Sequence, residues 1–301
     1  MYAYFAKLRQ NLEPKFTFDE IIQTRHAAVR QQLGGGDSHL IGSLQRKTRI
    51  QPQSGQTFDI DILIILDSFV RWVPIGGITP AAAVQEVLSR IQQSDRYALK
   101  SPAVDLPTVT LNFANEVKVE LVPAYLDRVG HSPSGTPHVP KGRAYWVPGQ
   151  TGSWELADYD YDASYISDWN AHCDGYLVPV IKILKAIKRL HFPQLSSFAL
   201  EILAARNIPY VISAHKEHQL TITYPALLQG FFRLALTDLP KPIVIPGTLS
   251  APIVLTPEIA AQVADRFGAI QRAMVELESL ADGKKVEYWR AIIGEQFPAN
   301  L

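Results

Sequence analysis

The 301-residue chain has one cysteine, no surplus of either charge and no uninterrupted apolar run of about 18 residues. Each absence excludes something. A lone thiol, Cys173, makes neither an intramolecular disulfide nor a cysteine-rich zinc site, and is expected to be a buried free thiol in a reducing compartment. Lysine plus arginine and aspartate plus glutamate stand at 29 each, so no global basic field advertises a long nucleic-acid partner, and a small charged ligand fits better. Without a membrane-length run, and with residues 1–7 lacking a basic region followed by an apolar core, the expectation is a cytoplasmic location and no membrane partner. The histidines show no zinc pattern: His215 and His218 are three apart with nothing nearby to complete a site. Ser213 and His215 lack the context of a nucleophile elbow.

What is present is a core-forming composition, 47% hydrophobic, enough for one large domain or two lobes. Thr17-Phe18-Asp19-Glu20 reads as a capping box opening a helix with Phe18, Ile21, Ile22, Val29 and Leu33 as apolar positions, ending at Gly34-Gly35-Gly36. A short strand through Leu40 and Ile41 feeds Gly42-Ser43, and a short helical connector follows over 44–48. Thr79-Pro80 supplies an N-cap and first-turn proline for a helix with Val84, Val87, Leu88 and Ile91 on one side. Two β-runs, 108–113 and 117–122, flank Ala114-Asn115-Glu116 as a hairpin. Residues 128–170, with the acidic run Asp158 to Asp162, are the least regular part and read as a lid or an elaborated loop. Helices are expected over 176–190 and 197–205, and a long one opening at Thr256-Pro257 with Ile259, Val263, Phe267, Ile270, Met274 and Leu277 at helical spacing. The fold class is therefore α+β: a mixed-sheet lobe, 1–170, whose N-terminal helix can pack on the second lobe, then a mainly helical lobe, 171–301, with a cleft between them.

The acidic strands carry the chemistry. In Phe58-Asp59-Ile60-Asp61-Ile62-Leu63-Ile64, side chains alternate, so Asp59 and Asp61 stand together on one face. Adjacent carboxylates on an otherwise apolar strand repel and are costly to bury unless a cation neutralises them. Mg2+ prefers oxygen ligands and keeps waters for a substrate to replace. Two such ions about 4 Å apart clamp the attacking and leaving oxygens of an in-line displacement. Glu120, before the strand exit Leu121-Val122-Pro123-Ala124, is the preferred third acid, with Asp127 a substitute; Glu116, Lys118 and Glu120 also read as the wet face of a hairpin. Gly42 lets backbone approach an anion and Ser43 offers hydroxyl and amide to a triphosphate, although a lone Gly-Ser reads first as an ordinary turn. Lys182 and Lys185, three apart on the helix that also carries Lys188 and Arg189, read either as a solvated stripe or as a triphosphate clamp. Ser197 is either a phosphate contact or the N-cap of the next helix. Tyr145, Trp146 and Trp154 are packing residues or base-stacking platforms.

The ordered set Gly42-Ser43-Leu44-Gln45-Arg46-Lys47-Thr48, Asp59-Ile60-Asp61 and Val119-Glu120-Leu121-Val122-Pro123-Ala124 resembles the polymerase-β-like nucleotidyltransferase superfamily. Residues 177–186 with Ser197-Phe198-Ala199-Leu200-Glu201, and Trp289 to Pro298, narrow the resemblance to the bacterial cGAS/DncV-like nucleotidyltransferases (CD-NTases), across residues 17–298. The resemblance implies synthesis of a cyclic di- or trinucleotide second messenger from nucleoside triphosphates, ATP among them, in antiphage signalling through a downstream effector. It implies Ser43 on triphosphate, Asp59 and Asp61 on two Mg2+ ions (Mn2+ being the alternative metal), Glu120 as third carboxylate, and Lys185 with Ser197 on phosphates. Glu120 departs from the pattern, where aspartate is commoner. Two other functions share these residues: a linear nucleotide-adding transferase acting on RNA, a small molecule or a protein, and a catalytically weak nucleotide-binding regulator.

Overall fold

The computed structural model describes residues 1–15, 17–33, 37–53, 55–68, 78–94, 97, 101–113, 117–127, 144–149 and 151–301. Its strands are β1 Ser38–Leu40, β2 Phe58–Ser68, β3 Ala103–Asp105, β4 Thr108–Phe113, β5 Val117–Leu126, β6 Tyr145–Pro148 and β7 Trp154–Ala157. Its helices are α1 Tyr2–Leu12, α2 Thr17–Gln32, α3 Gly42–Gln45, α4 Pro80–Gln92, α5 Tyr159–His172, α6 Leu177–His191, α7 Ser197–Glu217, α8 Tyr224–Ala235, α9 Pro257–Glu278 and α10 Asp282–Ile293. The class is α+β.

One mixed sheet in the order β1-β2-β5-β4-β3 carries the site, with β6 and β7 added beyond β5. Strands β2 and β5 are parallel, and their other neighbours run antiparallel. Alternation divides the sheet as the apolar pattern demands. Phe58, Ile60, Ile62, Val117, Val119 and Leu121 are buried with Ile22, Val29, Val84 and Val87 of α2 and α4. Leu63, Val122, Ala124 and Tyr145 pack together on the opposite face, the face that carries Asp59, Asp61 and Glu120. The acids thus stand at one end of a face whose other end is apolar core.

A second, helical core surrounds α6 and α7, and α1 belongs to it through Phe5, Leu8 and Leu12. Phe5 stacks on Tyr224 and meets Trp289 and Phe297 edge-on. Among the described residues no helix is long and apolar enough to cross a membrane. Cys173 is buried, and burial pushes its thiol up to about 11, as an inert packing thiol requires.

Several expectations are corrected. The described part of 128–170 is regular: β6, β7 and α5 occupy it, while 128–143 lie outside the described residues, as do Gly34 to Gly36 and the hairpin turn 114–116. The acidic run is the start of a helix rather than a loop. Asp158 caps α5 by accepting from the Tyr161 amide, Asp160 accepts from Gln45, and Asp162 accepts from Thr248 and Ser250. The connector helix begins earlier than expected, at Gly42, and ends at Gln45. Helix α7 runs to Glu217 through Pro209. Helices α1, α8 and α10 and strand β3 had no counterpart in the sequence reading. The side chain of Thr17, expected to cap α2, lies outside the described residues.

Candidate active site

The parallel register of β2 and β5 sets Asp61 opposite Glu120 and Asp59 opposite Lys118. Four charged side chains therefore form a square on one sheet face. Glycine is required beside it. Gly42 has φ +68°, and a Cβ built there would run into the Asp61 carboxylate oxygen Oδ2. The neighbouring Ile41 amide donates to the Asp61 carbonyl at 3.0 Å, fixing the turn against β2.

Asp59, Asp61, Glu120 and Ser43 line a cavity of about 590 Å³, whose other wall includes Arg49, Lys185, Lys188, Arg189 and Ser197. That volume suits a small ligand. The site is electrostatically divided. Burial first, then the Glu120 and Asp59 charges, push Asp61 up to about 6 despite the opposing pull of Arg49 and Arg46. Burial pushes Arg49 down to about 10 against the pull of Asp61 and Asp59. Lys188 is lowered by burial and then by Arg189, and Arg189 by burial, against the pull of Asp59. Such a wall favours a polyanion that would neutralise it.

The structure brings Gly42, Ser43, Asp59, Asp61, Glu120, Lys185 and Ser197 together, and places Lys182 elsewhere. The Lys182 ammonium pairs with Glu13 at 2.5 Å, just beyond the end of α1. Lys185 reaches the cavity wall but its three N–H donors are spent: on the Thr48 carbonyl at 3.0 Å, the Thr48 hydroxyl at 3.1 Å and Glu201 at 2.6 Å. Glu201 also accepts from Arg46 Nε at 2.7 Å, and Arg46 covers the Phe198 ring. This buried Arg46–Glu201–Lys185 network pins residues 46–48, the link between the Gly-Ser turn and β2, to α6 and α7. Burial alone would raise Glu201, yet the two cations hold it at about 2. Ser196, not Ser197, caps α7 by accepting from the Ala199 amide at 3.0 Å, leaving Ser197 on the cavity wall.

Sequence reasoning missed Arg49 and Gln56, and named Lys188 and Arg189 only within the basic stripe of their helix; all four line the cavity. A cation run at 46–49 beside the Gly-Ser turn was the available signal. Tyr145 is buried and Trp154 donates to the Ile78 carbonyl at 3.0 Å; neither they, Trp146 nor Asp127 line the cavity.

The donor set is hard oxygen and partly buried, which suits Mg2+ rather than a softer metal. As the side chains stand, no three His, Cys, Asp or Glu groups among the described residues are close enough to hold an ion. Glu120 is instead paired with Lys118 at 2.7 Å.

A mixed sheet thus displays the paired aspartates beside a Gly-Ser turn. Residues 1–141 match the Second Messenger Oligonucleotide or Dinucleotide Synthetase domain. The solved structures that resemble the whole chain include CdnC from E. coli MS115-1 with ATP, at 14% identity and TM-score 0.69, covering 99% of this chain and 98% of that one. The CD-NTase CdnG from Bradyrhizobium diazoefficiens with GTP matches at 11% identity and TM-score 0.69, covering 98% and 95%. DncV from Vibrio cholerae, a cyclic AMP-GMP synthase, matches at 11% identity and TM-score 0.64, covering 99% and 87%. No curated protein matches by sequence. The first 141 residues are thus similar to the second-messenger synthetase family, and the whole chain shares the fold of these solved structures.

Gly42→Ala is expected to lower turnover at least about tenfold. It forces a side chain into a left-handed backbone conformation, which costs roughly 1–2 kcal/mol, and displaces the Asp61 carboxylate. Steady-state rates and thermal unfolding of the purified variant check this; an unchanged rate would show that the turn does not position Asp61.

Proposed function

We propose that the protein synthesises a cyclic di- or trinucleotide from nucleoside triphosphates, ATP among them, with release of pyrophosphate. The observation that carries this reading is the opposition, across one cavity, of Asp59, Asp61 and Glu120 to Arg49, Lys188 and Arg189. It is supported by the second-messenger synthetase domain over 1–141 and by structural relatives that hold ATP and GTP. On this reading residues 1–170 are the catalytic lobe, with helix α1 packed on the other lobe, and 171–301 the helical lobe that completes the cleft.

Each residue then has a task. Gly42 brings the backbone of the turn close to the triphosphate, and the Ser43 and Ser197 hydroxyls donate to its oxygens. Arg49, Lys188 and Arg189 offset the charge that gathers on pyrophosphate as it departs. Lys185 fixes the Thr48 backbone rather than touching phosphate, because its donors are already engaged. Asp59, Asp61 and Glu120 would hold two Mg2+ ions, with Mn2+ a substitute. Bound there, the ions supply positive charge to the attacking hydroxyl and the leaving group. The acceptor ribose hydroxyl attacks the α-phosphate of a second nucleotide, and repetition within the linear intermediate closes the ring. We place this activity in the cytoplasm, in antiphage signalling, with the product read by an effector.

Incubation with all four triphosphates and Mg2+, then phosphatase treatment and mass measurement, tests the reading. A phosphatase-resistant product with the mass of a cyclic di- or trinucleotide is expected. A ladder of phosphatase-sensitive linear products would establish linear transfer instead, and no product together with nucleotide binding would establish a regulator.

A further inference from the structure

Strand register puts a lysine where the acidic face would otherwise be uniform. Lys118 lies opposite Asp59, two residues before Glu120 on the same face of β5. Its ammonium is 2.7 Å from Glu120 Oε1 and 3.4 Å from Asp105 Oδ2 at the end of β3. All three side chains are partly exposed, at 25%, 28% and 65%, so the lysine has room to move. We propose that Lys118 is an internal counter-ion for Glu120, holding the third carboxylate out of the metal-binding set until a divalent cation displaces the ammonium onto Asp105. This rests on the reading of Asp59, Asp61 and Glu120 as metal ligands.

Charge balance favours the exchange. Asp59, Asp61 and Glu120 carry three negative charges, and Lys118 cancels one while sitting on an oxygen that a cation needs. A carboxylate engaged by an ammonium at 2.7 Å is a weaker ligand, and the ammonium repels an incoming dication. Displacement is inexpensive only if the lysine has a second anion within reach. Asp105 provides it, on a short strand that pairs with β4 and touches the site through no other described ion pair. The arrangement therefore sets the metal concentration at which the third carboxylate joins the site.

The test is Mn2+ binding to the full chain without nucleotide, measured from the electron paramagnetic resonance of free Mn2+ at low salt. Lys118→Met is expected to tighten Mn2+ binding about two- to fivefold, the factor to which the strength of an exposed ion pair converts. Lys118→Arg, which keeps the charge, leaves affinity at the wild-type value, and Asp105→Asn weakens it. In a Glu120→Gln background Lys118→Met has no effect. Unchanged or weaker binding by Lys118→Met, alongside lost binding in Asp61→Asn, overturns the role of Lys118 alone. Equal tightening in the Glu120→Gln background also overturns it, because the lysine then acts only as a distant charge. If Asp61→Asn binds Mn2+ like the wild type, the metal reading fails and this inference falls with it.

Discussion

Asp61→Asn is expected to lose nucleotide transfer by at least about 10³-fold while making the metal-free protein more stable at neutral pH. The activity loss follows from removing a carboxylate that, on the proposed reading, binds both ions; several kcal/mol of transition-state stabilisation go with it. The stability gain follows from the raised pKa. In the folded, metal-free protein burial and the neighbouring Glu120 hold Asp61 near 6, from an ordinary value of 3.8. A carboxyl whose folded pKa is raised stabilises the fold fully below the unfolded pKa and loses that contribution as pH climbs through the folded one. Wild-type stability should therefore fall between about pH 4 and pH 6 through this group, by on the order of 3 kcal/mol. Asparagine does not titrate, so the variant should overtake the wild type across that window and hold its lead at pH 7.5 in chelator. Thermal unfolding from pH 4 to 8 checks the sign. A variant less stable than the wild type at pH 7.5 would mean that Asp61 is already neutralised by Arg49 and Arg46, leaving no electrostatic demand for a metal.

Glu201→Gln is expected to destabilise the protein by roughly 3–5 kcal/mol, because removing the anion leaves Arg46 and Lys185 buried without a counter-charge. The loss should depend on pH. Burial already lowers Lys185, with Glu201 the main opposing influence; without that carboxylate its folded pKa falls further. A cation with a depressed folded pKa binds fewer protons folded than unfolded, so variant stability should rise with pH above neutrality. Chemical denaturation at pH 7 and pH 9.5 measures both effects. A loss below about 1 kcal/mol, or one independent of pH, would show that the network does not hold the 46–48 connector against α6 and α7.

The legible parts of this molecule are those dictated by local rules. The Thr-Pro openings at 79 and 256 and the alternation along β2 and β5 each encode their element within a few residues. Thr223-Tyr224-Pro225 opens α8 by the same device, with the Thr223 side chain accepting from Ala226, and was legible but passed over. So were Phe5, Leu8 and Leu12, helically spaced in a segment read only for leader features. Helix α5 was lost because its acidic start resembles a solvated loop; the partners that neutralise it, Gln45, Thr248 and Ser250, are remote in sequence. In the candidate site, the positions of Asp59, Asp61, Glu120 and the Gly-Ser turn could be read because strand period and turn chemistry are local. Which cation faces the cavity could not. Lys182 and Lys185 look alike on a helix, and only Glu13 and Glu201, contributed from 169 and 16 positions away, separate them. The Lys118–Glu120 contact was written in the alternation of β5, but its meaning depends on Asp59 and Asp61 lying across the ladder.

Pyrophosphate release from mixed nucleoside triphosphates in Mg2+, compared between wild type and Asp59→Asn, tests the central claim most directly. Asp59 carries a charge the substitution removes with little change in volume, so the fold should persist. The account predicts steady release by the wild type and none by the variant; equal release by both would contradict it.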